Sequence, residues 1–322
     1  MNNINHEYDT YFSHIYAEDA VWDYPLAQTI REKLPESRII PIKHYKDVFC
    51  KKGQSFVSQK NSPKMILAVK DDSWYYPGSP MCDNYGNDNV YYTAEMMNCL
   101  YNCEYCYLRG MYNSANIVIF VNLDDCFAAV EKILPAFLYV SYESDLLALE
   151  FLTGFTRRWL GFCAEHTDAQ IEVRTKSAAF KQIIDIPPLP NVTLAWTISP
   201  DSVVEKFEKG SPLLESRLIN VREAMEKGWK VRICVDPVIK FSGWREAYRE
   251  MAAVICATID VKKLAGLSIG TFRAPADYYK KMRKLTPYSE IFAYQVVAGD
   301  SGMCYPNAQE VIEYASSCIT SK

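Results

Sequence analysis

The chain has 322 residues, 49% hydrophobic and 23% charged, an ordinary globular balance with enough apolar residues for one large core. Its formal net charge of −4 excludes a global pull toward nucleic acid, so a nucleic-acid substrate would need a local basic groove. No apolar run reaches the roughly 18 residues of a membrane span. The polar opening, Met1 to Glu7, is not a secretory leader, so the eleven cysteines are expected reduced, in a cytoplasmic setting.

Residues 1–89 read as an N-terminal accessory region. Apolar residues recur at helical period over 19–34, and 37–42 and 65–69 read as short strands. The stretch 43–64 carries Lys43, Lys46, Lys51, Lys52, Lys60 and Lys64 and reads as a solvated face rather than a phosphate-contact patch. A turn-rich stretch, 77–86, contains Cys82.

From residue 90 the pattern alternates strand and helix, which argues for a parallel α/β sheet or barrel. Strands are expected at 90–93, 117–121, 137–141, 170–175, 192–198, 230–235 and 265–271. Helices are expected at 125–134, 146–165, 178–184, 212–227 (stopped by Gly228), 245–258 and 276–285. Residues 286–322 form a C-terminal extension, with a short apolar segment at 291–297 and a helix at 308–319.

The chemistry concentrates in Cys99-Leu-Tyr-Asn-Cys103-Glu-Tyr-Cys106. A packed core has no use for three cysteines in eight residues, whereas a short loop can wrap an iron–sulfur cluster with them. A cluster ligated only by protein needs a fourth cysteine; three leave one iron open, as a reactive metal site requires. Three of four zinc ligands is the other reading, but zinc favours paired C-x2-C units, and His6, His14, His44 and His166 are scattered. Cys50, Cys126, Cys163, Cys234, Cys256, Cys304 and Cys318 read as core.

Polar residues cluster where the expected strands end: Ser144, Lys176, Thr197, Ser199, Asp236 and Arg273. Active sites of parallel barrels lie at those ends. Ser199 and Asp145 also suit caps and turns. Lys176 and Arg273, long cations just past apolar strands, read as functional.

The C-x3-C-x2-C run with Tyr105 before its last cysteine resembles the radical S-adenosylmethionine superfamily. More closely, Cys103-Glu-Tyr105-Cys106-Tyr107-Leu108 is similar to the spore photoproduct lyase family. So, in order, are Ile119 to Asp124, Ser144-Asp145 with Leu152-Thr153, Thr175-Lys176, Trp196 to Ser199, Gly210 to Leu213 with Arg217, Gly243-Trp244 with Tyr248, and Phe272-Arg273.

The resemblance implies an incomplete (β/α)6-type barrel over 90–285. It implies a [4Fe-4S] cluster on Cys99, Cys103 and Cys106, and S-adenosyl-L-methionine held by Ser144, Lys176, Thr197 and Ser199. The implied substrate is damaged DNA carrying the thymine dimer 5-thyminyl-5,6-dihydrothymine, contacted by Arg273. Electrons would come from a flavodoxin or ferredoxin. The implied reaction takes a hydrogen from C6 of the lesion, breaks the methylene bridge and quenches a thymine radical from a protein donor.

Two departures stand out. Where many members of that family carry a hydrogen-donating cysteine, this chain has Tyr142. The Tyr142 phenol could give the hydrogen atom itself, or Cys82 is the thiol that could take the role, and the resemblance implies that Tyr105 and Tyr107 flank the site and relay a hydrogen atom. And 291–322 shows none of the basic, aromatic hairpin that some members use against DNA. A radical enzyme of the same scaffold with a non-DNA substrate is the alternative. A cluster-bearing regulatory protein is a further one, which the cofactor set argues against.

Overall fold

The computed structural model describes residues 12–79, 82–299 and 302–320. The polar opening with His6, Pro80-Met81 just before Cys82, and Asp300-Ser301 lie outside the described residues.

Six parallel strands form the body: Val90–Thr93, Ala136–Tyr139, Ala169–Thr175, Val192–Thr197, Lys230–Val238 and Gly266–Thr271. Each pairs with the next in chain order, making them the first to sixth barrel strands. They are rich in Val, Ile and aromatic residues, which suit a sheet covered on both faces. Parallel neighbours need crossover connections. Phe155–Glu165, Leu214–Glu226 and Trp244–Thr258 supply three of them as helices. The run stays open: Tyr75–Pro77 adds antiparallel to the first strand, and the sixth strand forms the other edge. The architecture is the expected incomplete barrel.

A second sheet stands beside it. His14–Glu18, Arg38–Ile42, Met65–Ala68 and Ile117–Phe120 are parallel, and Met96–Met97 joins antiparallel. The strand expected in the barrel at 117–121 therefore belongs here, because Met65 to Ala68 pairs with it residue for residue. Conversely Tyr75–Pro77, from before residue 90, pairs into the barrel sheet. The two sheets interleave around Val90 to Met97.

Three helices differ from the sequence expectation. The span 19–34 is a 3-10 turn, Asp19–Asp23, and then a helix, Pro25–Lys33, because Pro25 suits a first helical position. The long helix at 146–165 is broken at Gly154, which takes φ +64°. Apolar periodicity runs through the break unchanged. The buried Glu150 carboxylate then accepts from the Thr156 and Arg157 amides, at 2.7 and 3.0 Å, and restarts the helix. The helix at 178–184 shrinks to the 3-10 turn Phe180–Gln182 before Pro187-Pro188.

In the C-terminal extension Val297–Gly299 pairs with Gly302–Cys304, and Arg273–Ala274 adds to that pair. A Cβ on Gly302 would collide with the Ala274 carbonyl, and its φ is +99°. The described residues of that strand pair include no basic or aromatic side chain. Of the seven cysteines expected in the core, Cys126, Cys163 and Cys234 are buried, Cys256, Cys304 and Cys318 are half-buried, and Cys50 is exposed.

Candidate active site

The cysteine loop leaves the first barrel strand and is held from three sides. At its base Asn98 adopts φ +66°, a conformation asparagine tolerates. Its buried amide donates to the Ser114 and Asn116 carbonyls at 2.9 and 2.8 Å. Lys60, from the short helix Phe56–Asn61, donates to the carbonyls of Cys99 and Tyr101 at 2.6 and 2.9 Å. On the far side Asn102–Cys103 pairs antiparallel with Glu208–Lys209, and the Glu104 amide donates to the Phe207 carbonyl at 2.8 Å.

Behind that ladder lies a polar knot that sequence reasoning did not assign. Glu208 and Arg217, both fully buried, form an ion pair. Glu208 also accepts from the Tyr105 hydroxyl and from the Ser199 hydroxyl, the latter at 2.8 Å. Arg217 donates onward to the Thr197 and Pro212 carbonyls at 3.0 and 2.8 Å. Burial alone would raise the Glu208 carboxyl, but Lys176, Arg217 and the hydrogen bonds hold it down at about 2.

The cysteine loop opens into a cavity of about 560 Å³ at the C-terminal ends of the barrel strands. Cys99, Cys103, Cys106, Tyr105 and Tyr107 line it from the loop. Ser144, Lys176 and Arg273 line it from beyond the second, third and sixth strands, Thr197 from the last position of the fourth, and Cys82 and Tyr142 are also in the wall. Of the twelve site residues singled out in the sequence, Ser199 alone is absent from the lining. A strand-end position located it correctly, but its side chain turns away from the cavity to Glu208.

Burial raises the Cys99 thiol to about 12 and pushes Cys103 up further still. The Ser144 hydroxyl is buried without a hydrogen-bond partner. Lys176 is aimed by its neighbour: Asp145 accepts from the Lys176 amide at 2.7 Å, and from the Thr175 hydroxyl at 2.7 Å. Its ammonium lies 5.6 Å from the centre of the Tyr105 ring.

Cys82 and Tyr142 meet side chain to side chain through a hydrogen bond. Burial keeps the Cys82 thiol raised against the pull of that bond, Arg174 and Arg273. The Tyr107 hydroxyl donates to the Tyr142 carbonyl at 2.8 Å, and Tyr92 stacks on Tyr142 with centroids 4.5 Å apart. The segment carrying Cys82 is locked into the barrel interior. Arg232 lies 3.4 Å over the Tyr85 ring, and the Tyr139 hydroxyl donates to the Asp83 carbonyl. Arg273 is gripped bidentately by Asp236, at 2.8 and 2.9 Å.

A six-stranded partial barrel whose first strand feeds a three-cysteine loop facing the strand ends is the layout of a radical S-adenosylmethionine enzyme. The family model for spore photoproduct lyase matches residues 11–274. Among curated relatives, the spore photoproduct lyase of a Geobacillus species is 21% identical over 265 residues, covering 79% of this chain and 76% of that one. The Clostridium acetobutylicum protein of that name is 22% identical over 297 residues, covering 87% and 84%. A solved spore photoproduct lyase complexed with dinucleoside spore photoproduct superposes with a TM-score of 0.83 at 19% identity, covering 97% of this chain and 96% of that one. A mutant with bound AdoMet and dinucleoside spore photoproduct gives 0.82 at 19% identity, with 96% of each chain covered. The chain belongs to the spore photoproduct lyase family, whose members are radical S-adenosylmethionine lyases.

Proposed function

We propose that this chain repairs DNA by returning 5-thyminyl-5,6-dihydrothymine to two thymines, with a cluster on Cys99, Cys103 and Cys106 and S-adenosylmethionine beside it. One observation carries the reading: a single cavity gathers the three cysteines, Ser144, Lys176 and Thr197 together with Cys82 and Tyr142. The donor set fits the group. The buried, unpartnered Ser144 hydroxyl supplies a polar atom that a cofactor would satisfy.

When bound, cluster and cofactor supply a 5′-deoxyadenosyl radical after reduction, here assigned to a flavodoxin or ferredoxin in a reducing cytoplasm. The protein's share is placement and hydrogen supply. Lys176 would meet the cofactor carboxylate with a charge-assisted hydrogen bond, and Ser144 and Thr197 would help to hold its polar groups. Ser199 acts from behind, through Glu208. Arg273, steadied by Asp236, presents guanidinium N–H groups to the lesion.

Cys82 is the hydrogen-atom donor in this reading. Its thiol stays protonated, and its partner Tyr142 stands where a relay back to sulfur would begin, with the Tyr107 ring 5.7 Å from that of Tyr142. Tyr105 is turned to the opposite task, its hydroxyl donating to the buried Glu208 carboxylate of the polar knot. Cys82→Ala is expected to consume lesion but divert most of the product from thymine to trapped adducts, resolved by mass spectrometry. An unchanged product mixture would move the role to Tyr142.

DNA needs the local basic face that the net charge denies. Helix Ala276–Leu285 offers one beside the cavity-lining Pro275 and Tyr278, with Lys280, Lys281, Arg283 and Lys284 all exposed. Reversing Lys281 and Lys284 to Glu is expected to weaken repair of a lesion-bearing duplex about tenfold or more at low salt, and to leave a dinucleotide substrate unaffected. Equal repair of the duplex by both proteins would remove this helix from the interface.

The reading as a whole is tested by anaerobic turnover of dinucleotide spore photoproduct with reductant and S-adenosylmethionine. Conversion to two thymines supports it. Cofactor cleavage with the lesion intact points instead to a radical enzyme with a non-DNA substrate.

A further inference from the structure

Two cations lie beneath the cysteine loop, and the function as described uses neither. Lys60 belongs to the lysine run that reads as a solvated face, yet its ammonium is tucked against the loop carbonyls of Cys99 and Tyr101. Arg109 follows the loop on the short helix Leu108–Met111 and is only 3% exposed. Its Nε and Nη1 are buried and have no hydrogen-bond partner. Glu104 is the carboxylate whose charge reaches it, without a hydrogen bond; the Cys106 and Cys103 thiols and the Lys60 ammonium are its other titratable neighbours. The ring of Phe56 lies 5.8 Å from the guanidinium. The groups facing Lys60 are Cys99, Cys106, Cys103 and Arg109 itself.

A buried guanidinium with unmet donors is costly, and two cations facing one another add to that cost. With neutral thiols the Glu104 charge opposes that of Arg109, but nothing meets its two buried donors. Metal-bound cysteines are thiolates, so loading the loop would place anionic charge directly in front of both cations. The arrangement makes electrostatic sense only for the loaded state.

We propose that Lys60 and Arg109 are positioning counter-cations of the cysteine-bound cluster, offsetting thiolate charge and holding its reduction potential up, with Lys60 also fixing the loop backbone. The proposal rests on Cys99, Cys103 and Cys106 being the cluster ligands.

The sign of the effect on stability distinguishes this role from ordinary packing. Arg109→Met removes a buried charge with two unmet donors at similar volume. The apoprotein is therefore expected to melt at a higher temperature than wild type. The same variant, reconstituted anaerobically, is expected to lose iron to a chelator about tenfold faster, the lower end of what outer-shell changes cost a metal site. Its midpoint potential, followed by electron paramagnetic resonance, is expected to shift negative. Arg109→Lys should recover both, and Lys60→Met should reproduce the potential shift.

Wild-type iron retention and potential in both Met variants would overturn the proposal. So would an Arg109→Met apoprotein that melts lower than wild type, because Arg109 would then be a packing residue. If wild-type protein takes up no cluster at all, the ligand assignment itself fails, which is a different outcome from either.

Discussion

Cys103→Ala is expected to abolish reductive cleavage of S-adenosylmethionine while leaving the fold in place. Cys103 is the middle cysteine of the loop and the most enclosed of the three, 7% exposed. Its backbone pairs with Glu208, and an alanine keeps that pairing. The loss is therefore chemical: two cysteines cannot hold a four-iron cluster that normally takes four ligands and here has three from protein. Iron content, 5′-deoxyadenosine yield and a thermal melt of the apoprotein check it together. An unchanged melt with neither iron nor 5′-deoxyadenosine is the expected result. Retained cleavage would remove Cys103 from the ligand set.

Glu208→Ala is expected to carry the largest effect on stability. It strands Arg217, which is fully buried, and strips the Tyr105 and Ser199 hydroxyls of their acceptor. Breaking a buried pair by removing one partner costs about 3–5 kcal/mol, since the remaining charge is left uncompensated. Urea unfolding of the apoprotein reads the loss directly. The pH dependence follows from the same carboxylate. Its pKa is depressed from the ordinary 4.5 to about 2, so its contribution is fully present above 4.5 and disappears as pH falls toward 2. Over that window the difference in stability between wild type and Glu208→Gln should shrink. A constant difference would mean that Glu208 is not held ionised by its partners.

The barrel was legible because its strands are short apolar runs punctuated by turn residues, and because each polar strand end follows directly in sequence. The cysteine loop was legible because its three ligands are contiguous. What escaped depends on distance along the chain. Ile117–Phe120 looks like any other buried strand, and only its pairing with Met65–Ala68 places it in the second sheet. Gly154 interrupts a helix whose apolar period does not falter, so no local signal marks the break. Ser199 was found by position, but side-chain direction is set by Glu208, nine residues on. Lys60 sits in a lysine-rich stretch, and composition there says solvent; its contact is with carbonyls 39 and 41 residues away. Arg109, three residues past Cys106 in an otherwise apolar segment, was the one outlying cation that sequence could have flagged. Cys82 reached the cavity as its place before the loop implied, though what locks it there is the Arg232 guanidinium stacked over Tyr85, from the fifth strand.

The most direct measurement is turnover of dinucleotide spore photoproduct in D2O, under strictly anaerobic conditions, with products resolved by mass. A thiol hydrogen exchanges with solvent, so a Cys82 donor carries deuterium. The account predicts two thymines, with one deuterium in a methyl group of the product. Cofactor cleaved to 5′-deoxyadenosine while the lesion stays intact would contradict it.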